Sequence, residues 1–245
     1  MIYFASDFHL GVPNFEASLA REKKICRWLD TIKKDATEIY LLGDCFDFWF
    51  EYKDVVPKGS VRFLGKIAEL TDQGIKITFF KGNHDMWTFG YLEKELGVQM
   101  ISNELIIERN NKTFFLHHGD GIGPGDKGYK IIKKIFRHPF SIALFGFLHP
   151  RLGAGLAKYL SRKSRLGKGD SDKTYLGDDK EFSTLFCKEM LTRQHYDYFI
   201  FGHRHLPLNI QLDEKSQYIN LGEWVHDFTY AVFDGTHIEL KSFNN

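Results

Sequence analysis

Short runs of β-branched and aromatic residues recur along the chain, and each stops at a polar cluster. Ile2–Ala5 leads into SDFH, Glu38–Leu42 into GDCFD, Lys76–Lys81 into GNHD, Thr113–Leu116 into HHGD and Tyr198–Phe201 into GHRH. Unbroken apolar character bounded by loop formers predicts buried strands, each delivering a loop. Between the first three, Glu16–Lys34 and Ser60–Asp72 carry helical spacing, and this βαβα alternation predicts an α/β sheet with a ligand site at the strand ends. Later runs lie closer together: Glu104–Glu108, Leu208–Leu212, Gln217–Leu221, Tyr230–Phe233 and His237–Leu240. Their links, RNN before Lys112, DEKS before Gln217 and Asp234-Gly235, predict hairpins in an antiparallel or mixed sheet. Two packed sheets flanked by helices is the simplest assembly.

One stretch departs from this pattern. From Lys127 to Lys168 there are eleven Lys and Arg and no Asp or Glu, so that taking +11 from the chain's +1 leaves −10 elsewhere. Apolar residues at Ile131, Ile132, Ile135 and Phe136, then at Ile142, Leu144, Phe145, Phe147 and Leu148, predict helices broken at Pro139 and Pro150. The expected organisation is a domain formed by 1–120 and 170–245, with a basic helical insertion at 121–169. Two readings stand for the insertion. It is either a helical hairpin with solvated lysines or a lid that meets an anionic, greasy ligand or an anionic bilayer. Phe and Leu predominate over interleaved Tyr, Trp and Asn, so no nucleic-acid partner is expected.

Composition narrows the class. With 43% hydrophobic residues in 245, there is ample material for a packed core. Cys26, Cys45 and Cys187 form no CxxC pair, which fits a reducing, cytoplasmic setting. MIYFASDFHL has no basic region before an apolar stretch, unlike a signal peptide. Phe140–Leu148 falls short of the ~20 residues of a spanning helix.

The chemistry lies in the loops. They present Asp7 and His9; Asp44 and Asp47; Asn83, His84 and Asp85; His117 and His118; and His203 and His205. Each motif is weak alone, but in this order, each directly after a buried strand, they predict a metal site. Carboxylate, imidazole and carboxamide without thiolate suit Mn²⁺, Fe²⁺ or Zn²⁺. Seven such side chains with one bridging carboxylate would give four contacts to each of two ions ~3.5 to 4 Å apart, as two-metal phosphoryl chemistry requires.

The ordered set D-x-H, GD-x-x-D, GNH-D, HGD and GH-x-H resembles the calcineurin-like metallophosphoesterase superfamily. That resemblance implies an αββα two-sheet sandwich, with Asp7, His9 and His205 on the first ion and Asn83, His118 and His203 on the second. Asp44 would bridge the ions, and His117 would be a non-ligand neighbour. His84 would clamp phosphate or donate a proton, and Asp85 is grouped with it as catalytic, acting by orienting His84 and its loop.

Three segments, SDFHLG, LGDCFDFW and GDKGYKIIKKIFRHPF, are similar to the UDP-2,3-diacylglucosamine hydrolase family of lipid A biosynthesis. This narrower likeness implies two Mn²⁺ ions and hydrolysis of UDP-2,3-diacylglucosamine to UMP and 2,3-diacylglucosamine 1-phosphate by a water that the ions activate. It also implies a lid over the acyl chains and residence on the cytoplasmic face of the inner membrane. Substrate contacts would come from Asn83, His84, Asp126, Tyr129, Arg162, Ser164, Arg165 and Lys168. Members of that family read GNRD where this chain has GNHD, so His84 must replace the arginine on phosphate or serve as the superfamily histidine. A soluble nucleotide or other phosphodiester stands as the alternative substrate.

Overall fold

The computed structural model describes residues 1–123, 127–168, 174–175, 177 and 180–244, and only the backbone of Lys127, Lys158 and 162–168. The first half runs β1 (Ile2–Ala5), α1 (Phe15–Ile32), β2 (Glu38–Leu41), α2 (Val61–Asp72), β3 (Lys76–Phe80), α3 (Tyr91–Leu96), β4 (Gln99–Ile101), β5 (Leu105–Arg109) and β6 (Lys112–His117). Three helices follow, α4 (Lys127–Phe136), α5 (Pro139–Gly146) and α6 (Pro150–Lys168). The chain closes with α7 (Phe182–Leu191), β7 (Tyr198–Phe201), β8 (Pro207–Gln211), β9 (Gln217–Leu221), β10 (Thr229–Phe233) and β11 (Ile238–Ser242).

Two mixed sheets form, ordered β11-β10-β1-β2-β3-β4 and β5-β6-β7-β9-β8. Strand periodicity explains how they stack. On β1, Tyr3 and Ala5 enter the cluster packed with Ile25, Trp28 and Leu29 of α1, while Ile2 and Phe4 face the other way. Ile2 and Phe4 meet Phe114, Leu116 and Ile200 of the second sheet, whereas Phe115 turns outward to Phe199 and Cys187, the latter on α7. Side chains alternating across each strand therefore fill three apolar layers, giving the expected αββα sandwich. The anticipated hairpins β5–β6, β8–β9 and β10–β11 are antiparallel.

Side chains seal the starts of α1 and α2. Asn14 accepts the Ala17 N–H at 2.9 Å at the start of α1, a side-chain cap for an otherwise orphan donor. Glu22, buried on α1, accepts the N–H groups of Arg62 and Phe63 at the start of α2.

Between β6 and α7, the three helices break where the prolines predict. Pro139 opens α5 beside a capping His138, and Pro150 opens α6. The group is seated on the sandwich through aromatic contacts. The Phe145 ring lies 4.8 Å from those of Trp87 and Phe50, and Trp87 Nε1 donates to the Phe136 carbonyl at 2.9 Å. On the outer side Ile131, Ile132, Phe140, Leu144 and Phe147 remain exposed, Phe147 at 89%.

Candidate metal centre

Strand-end geometry aims the functional side chains. Among the described residues, nine non-glycine residues have positive φ, and five of them are Asp7, His9, Asp44, His203 and His205. Such backbone costs about 1–3 kcal/mol per residue, so the surroundings must hold it. They do so through hydrogen bonds from Asp7 N to Gly43 O, His9 N to Asp44 O, Trp224 N to Asp7 O and His203 N to Asp7 Oδ2, at 2.9–3.1 Å. Gly82 packs against the Asp44 loop so closely that a Cβ there would collide with Asp44 Oδ1 and N. The loops after β2 and β3 can nest only because that side chain is absent.

Among the described residues the candidate ligand atoms converge in three overlapping groups, one of which, His9, Asp44 and His84, shares its first two members with the two groups that hold the expected ligands. His9 Nε2 and His205 Nε2 lie 2.9 Å apart, and they stand 3.6 and 3.2 Å from Asp7 Oδ1. Asp44, His118 and His203 form the second group, with ligand atoms within 4.8 Å of one another. His118 Nε2 is 3.6 Å from Asp44 Oδ2 and 3.2 Å from Asn83 Oδ1. Asp44 Oδ2 also lies 3.9 Å from His9 Nε2, so one carboxylate faces both groups. The Leu42 carbonyl takes His118 Nδ1 at 2.7 Å, leaving Nε2 as the free donor atom toward the cluster. Facing imidazole nitrogens and buried carboxylates with no thiolate make a donor set suited to divalent cations of intermediate hardness, and the seven residues fit two such ions.

The electrostatics agree with that chemistry. Burial alone would raise the Asp7 and Asp44 carboxyls. Instead His205 and His9 around Asp7, and His118 and His84 around Asp44, hold both well below the usual carboxylate range. Burial likewise opposes charge on His9 and His118, but the neighbouring carboxylates outweigh it and push each up to about 10. The cluster is thus a sink for positive charge.

Around it, the sequence-predicted residues fall in distinct places. The His84 N–H donates to Asp44 Oδ1 at 2.8 Å, its Nδ1 lies 2.9 Å from the Asp47 carbonyl, and its ring stands edge-on to His9. Asp85, grouped with His84 as catalytic, is directed elsewhere. Its carboxylate accepts the N–H groups of Gly82, Asp44, Cys45 and Phe46 at 2.7–3.3 Å, which ties the loops after β2 and β3 together. Burial, reinforced by Asp44, pushes it up to about 7. Asp47 Oδ1 lies 3.7 Å from Nδ1 of both His9 and His84, and Ser161 on α6 donates to its carboxylate at 3.4 Å.

His117 accepts the Gly119 N–H at 2.8 Å, and burial lowers it to about 4. Tyr129 donates to Asp120 Oδ2 at 2.6 Å, with its ring 6.2 Å from that of His203. Asp126 lies outside the described residues, and so do the side chains of Arg162, Ser164, Arg165 and Lys168 on α6. Several contributors went unpredicted: Arg21, whose Nη2 donates to the His9 carbonyl at 2.7 Å, Trp224, Asp120 and Arg204. Arg21 and Trp224 act on loop backbone from remote sequence positions, whereas Asp120 and Arg204 hold side chains beyond the ligand loops. Arg204, inside GHRH, and Asp120, inside HHGD, carried the one available signal, a charge set within a ligand motif.

The chain is similar to several known proteins. The model of the family described as calcineurin-like phosphoesterase matches residues 1–207. The UDP-2,3-diacylglucosamine hydrolase of Porphyromonas gingivalis is 40% identical, over 100% of this chain and 98% of that protein. The protein of the same name from Vibrio cholerae is 27% identical, over 94% and 93%. A solved phosphoesterase from E. coli is 14% identical, covers 99% of both chains and has a TM-score of 0.45. The match across most of the sequence, joined to full-length identity of 40% with one relative, shows that this chain belongs to the calcineurin-like phosphoesterase family.

Proposed function

We propose that the protein hydrolyses the pyrophosphate bond of UDP-2,3-diacylglucosamine in lipid A biosynthesis, releasing UMP and 2,3-diacylglucosamine 1-phosphate (lipid X). Full-length similarity to hydrolases of that name supports the substrate. The observation that carries the chemistry is the convergence of Asp7, His9 and His205, and of Asp44, His118 and His203, with Asn83 beside His118. Asp7, His9 and His205 would hold one cation and Asn83, His118 and His203 the other, with Asp44 between them and Mn²⁺ the ion we assign. Such a pair supplies Lewis acidity to phosphoryl oxygens and ionises a water near neutral pH.

The chain's own groups do the rest. A carbonyl only accepts, so His84 Nδ1 carries the proton and donates to Asp47 O. Burial lowers the ring's proton affinity and so favours its neutral form. The substrate's phosphates would then favour a second proton at Nε2, and the Asp47 carboxylate 3.7 Å from Nδ1 supports that charged form. Protonated His84 can bind a phosphoryl oxygen or protonate the departing sugar phosphate.

The helical insertion, 121–169, we assign as a cover for the acyl chains, set in a domain formed by 1–120 and 170–245. By resemblance Asp126, Tyr129, Arg162, Ser164, Arg165 and Lys168 would meet the glucosamine and phosphate. Two hollows support an amphiphilic anionic ligand. One of about 300 Å³ is lined by Phe50, Tyr52, Ala143, Gly146 and Phe147 with Glu51 and Lys53. The other, about 680 Å³, has Lys130, Lys133, Lys134, Arg137 and His138 on its wall. Each sheltered CH₂ contributes ~0.8 kcal/mol, so ten would give about 8 kcal/mol before ordering costs.

Among the described residues no helix is long and apolar enough to cross a membrane. Exposed Phe140, Leu144 and Phe147 beside a basic stretch support peripheral attachment at the anionic cytoplasmic face of the inner membrane. The test of substrate is incubation with Mn²⁺ and UDP-2,3-diacylglucosamine, following UMP release against soluble nucleotides. Release confined to the acylated sugar is expected, and equal turnover of deacylated UDP-glucosamine would reject the assignment.

A further inference from the structure

The first helix of the insertion is tied to one loop of the metal centre, and the chain that leads into α7 is tied to another. At the entry, Asp120 stands two residues after His118 and is buried. Its Oδ2 accepts the Tyr129 hydroxyl at 2.6 Å and Lys133 Nζ at 2.7 Å, and its carbonyl accepts the same Nζ at 2.9 Å. Tyr129 and Lys133 are four residues apart on α4, so one face of the first insertion helix is locked to the His118 loop.

The chain leading into α7 is tied with different chemistry. Arg204 sits between His203 and His205 and donates through Nε to Glu181 Oε2 at 3.1 Å and through Nη2 to Oε1 at 2.9 Å. This fork matches a carboxylate in two places and fixes orientation as well as distance. Nη2 also donates to the Thr174 carbonyl at 2.8 Å. Glu181 is buried and immediately precedes α7, where the chain re-enters the sandwich.

We propose that Asp120 and Arg204 are positioning residues that couple the seating of α4 and of the chain leading into α7 to the placement of His118, His203 and His205. Filling the metal centre then steadies both segments, and loosening either tie weakens metal binding. The inference rests on the two-ion reading above. Linkage makes the effect reciprocal: the factor by which metal favours the seated helices is the factor by which seating favours metal. Groups that orient ligands from behind change metal affinity by about 10–100-fold. A purely structural tie would lower stability without altering the response to metal.

Hydrogen exchange on the full chain with and without saturating Mn²⁺, paired with a calorimetric Mn²⁺ titration, tests this. In the wild type, Mn²⁺ slows exchange across α4 and the first turn of α7. In Arg204→Lys, which keeps the charge but loses the fork, and in Asp120→Asn, that slowing shrinks and Mn²⁺ affinity falls about tenfold. Should either variant fail to fold, Lys133→Met removes both Lys133 contacts to Asp120 while leaving the Tyr129 bond, and is expected to behave the same way. No added protection of α4 in the metal-loaded wild type would overturn the coupling and leave the two-ion centre standing. So would variants with unchanged affinity and full slowing. Absence of Mn²⁺ binding to the wild type would overturn both.

Discussion

Asp44 is the side chain on which both halves of the centre depend. Its Oδ2 faces His9 and His118, while Oδ1 accepts the His84 N–H. Asp44→Asn and His118→Ala are each expected to lower metal-dependent hydrolysis more than about 100-fold, on the scale of losing one dominant electrostatic group. Their thermal midpoints should stay near that of the wild type. Steady-state kinetics beside thermal unfolding checks this, and full activity in either variant would remove these residues from the reaction. The residues that cluster were readable in the sequence because five motifs of His, Asp and Asn, each weak alone, follow apolar strands in one order. Arg21 and Trp224 were not, since each acts on a partner's backbone, and a residue's chemical type says nothing about which distant carbonyl it will reach; Asp120 was not, since its partners Tyr129 and Lys133 are set by how α4 packs.

At the scale of elements, legibility followed length and burial. β1, β7 and β9 match their predicted bounds because they are buried apolar runs cut off by polar loops. The six-residue α3 and three-residue β4 were not predicted, being too short to show a period; α7 was also passed over. Glu38 on β2 and Arg109 on β5 join the two sheets through a forked ion pair at 2.7 and 2.8 Å. Burial raises the Glu38 carboxyl, but Arg109 and Tyr40 more than offset this and hold it below its usual value. A depressed folded value means stability that is present above the unfolded pKa and lost as pH falls through the folded one. Urea midpoints should therefore drop less between pH 7 and pH 3 in Glu38→Gln than in the wild type; parallel drops would show that the pair contributes no pH-linked stability. The insertion helices make a second prediction. Phe140→Asp and Phe147→Asp should lower turnover of the acylated substrate at least tenfold more than that of a small chromogenic phosphodiester, and equal losses on both would contradict an acyl cover.

The whole molecule divides its charge as it divides its work. The stretch from Lys127 to Lys168 carries +11 and the remainder −10, so a basic, apolar-tipped helical group stands on an acidic sandwich that concentrates carboxylates around the ligand cluster. Vesicles containing anionic phospholipid should sediment the protein at low salt and release much of it as ionic strength rises, while neutral vesicles should retain little. Binding indifferent to both lipid charge and salt would argue against the surface reading. The sandwich was legible from alternation and turn chemistry alone. How the insertion sits was not, because Trp87, Phe136 and Phe145 meet across about 50 residues of chain and no local pattern encodes that meeting.

Anomalous diffraction from a crystal grown with Mn²⁺ examines the two-ion claim most directly. The expected result is two peaks ~3.5 to 4 Å apart, one among Asp7, His9 and His205, the other among Asn83, His118 and His203, with Asp44 touching both. A single peak, or ordered ligand side chains with no peak between them, would contradict it.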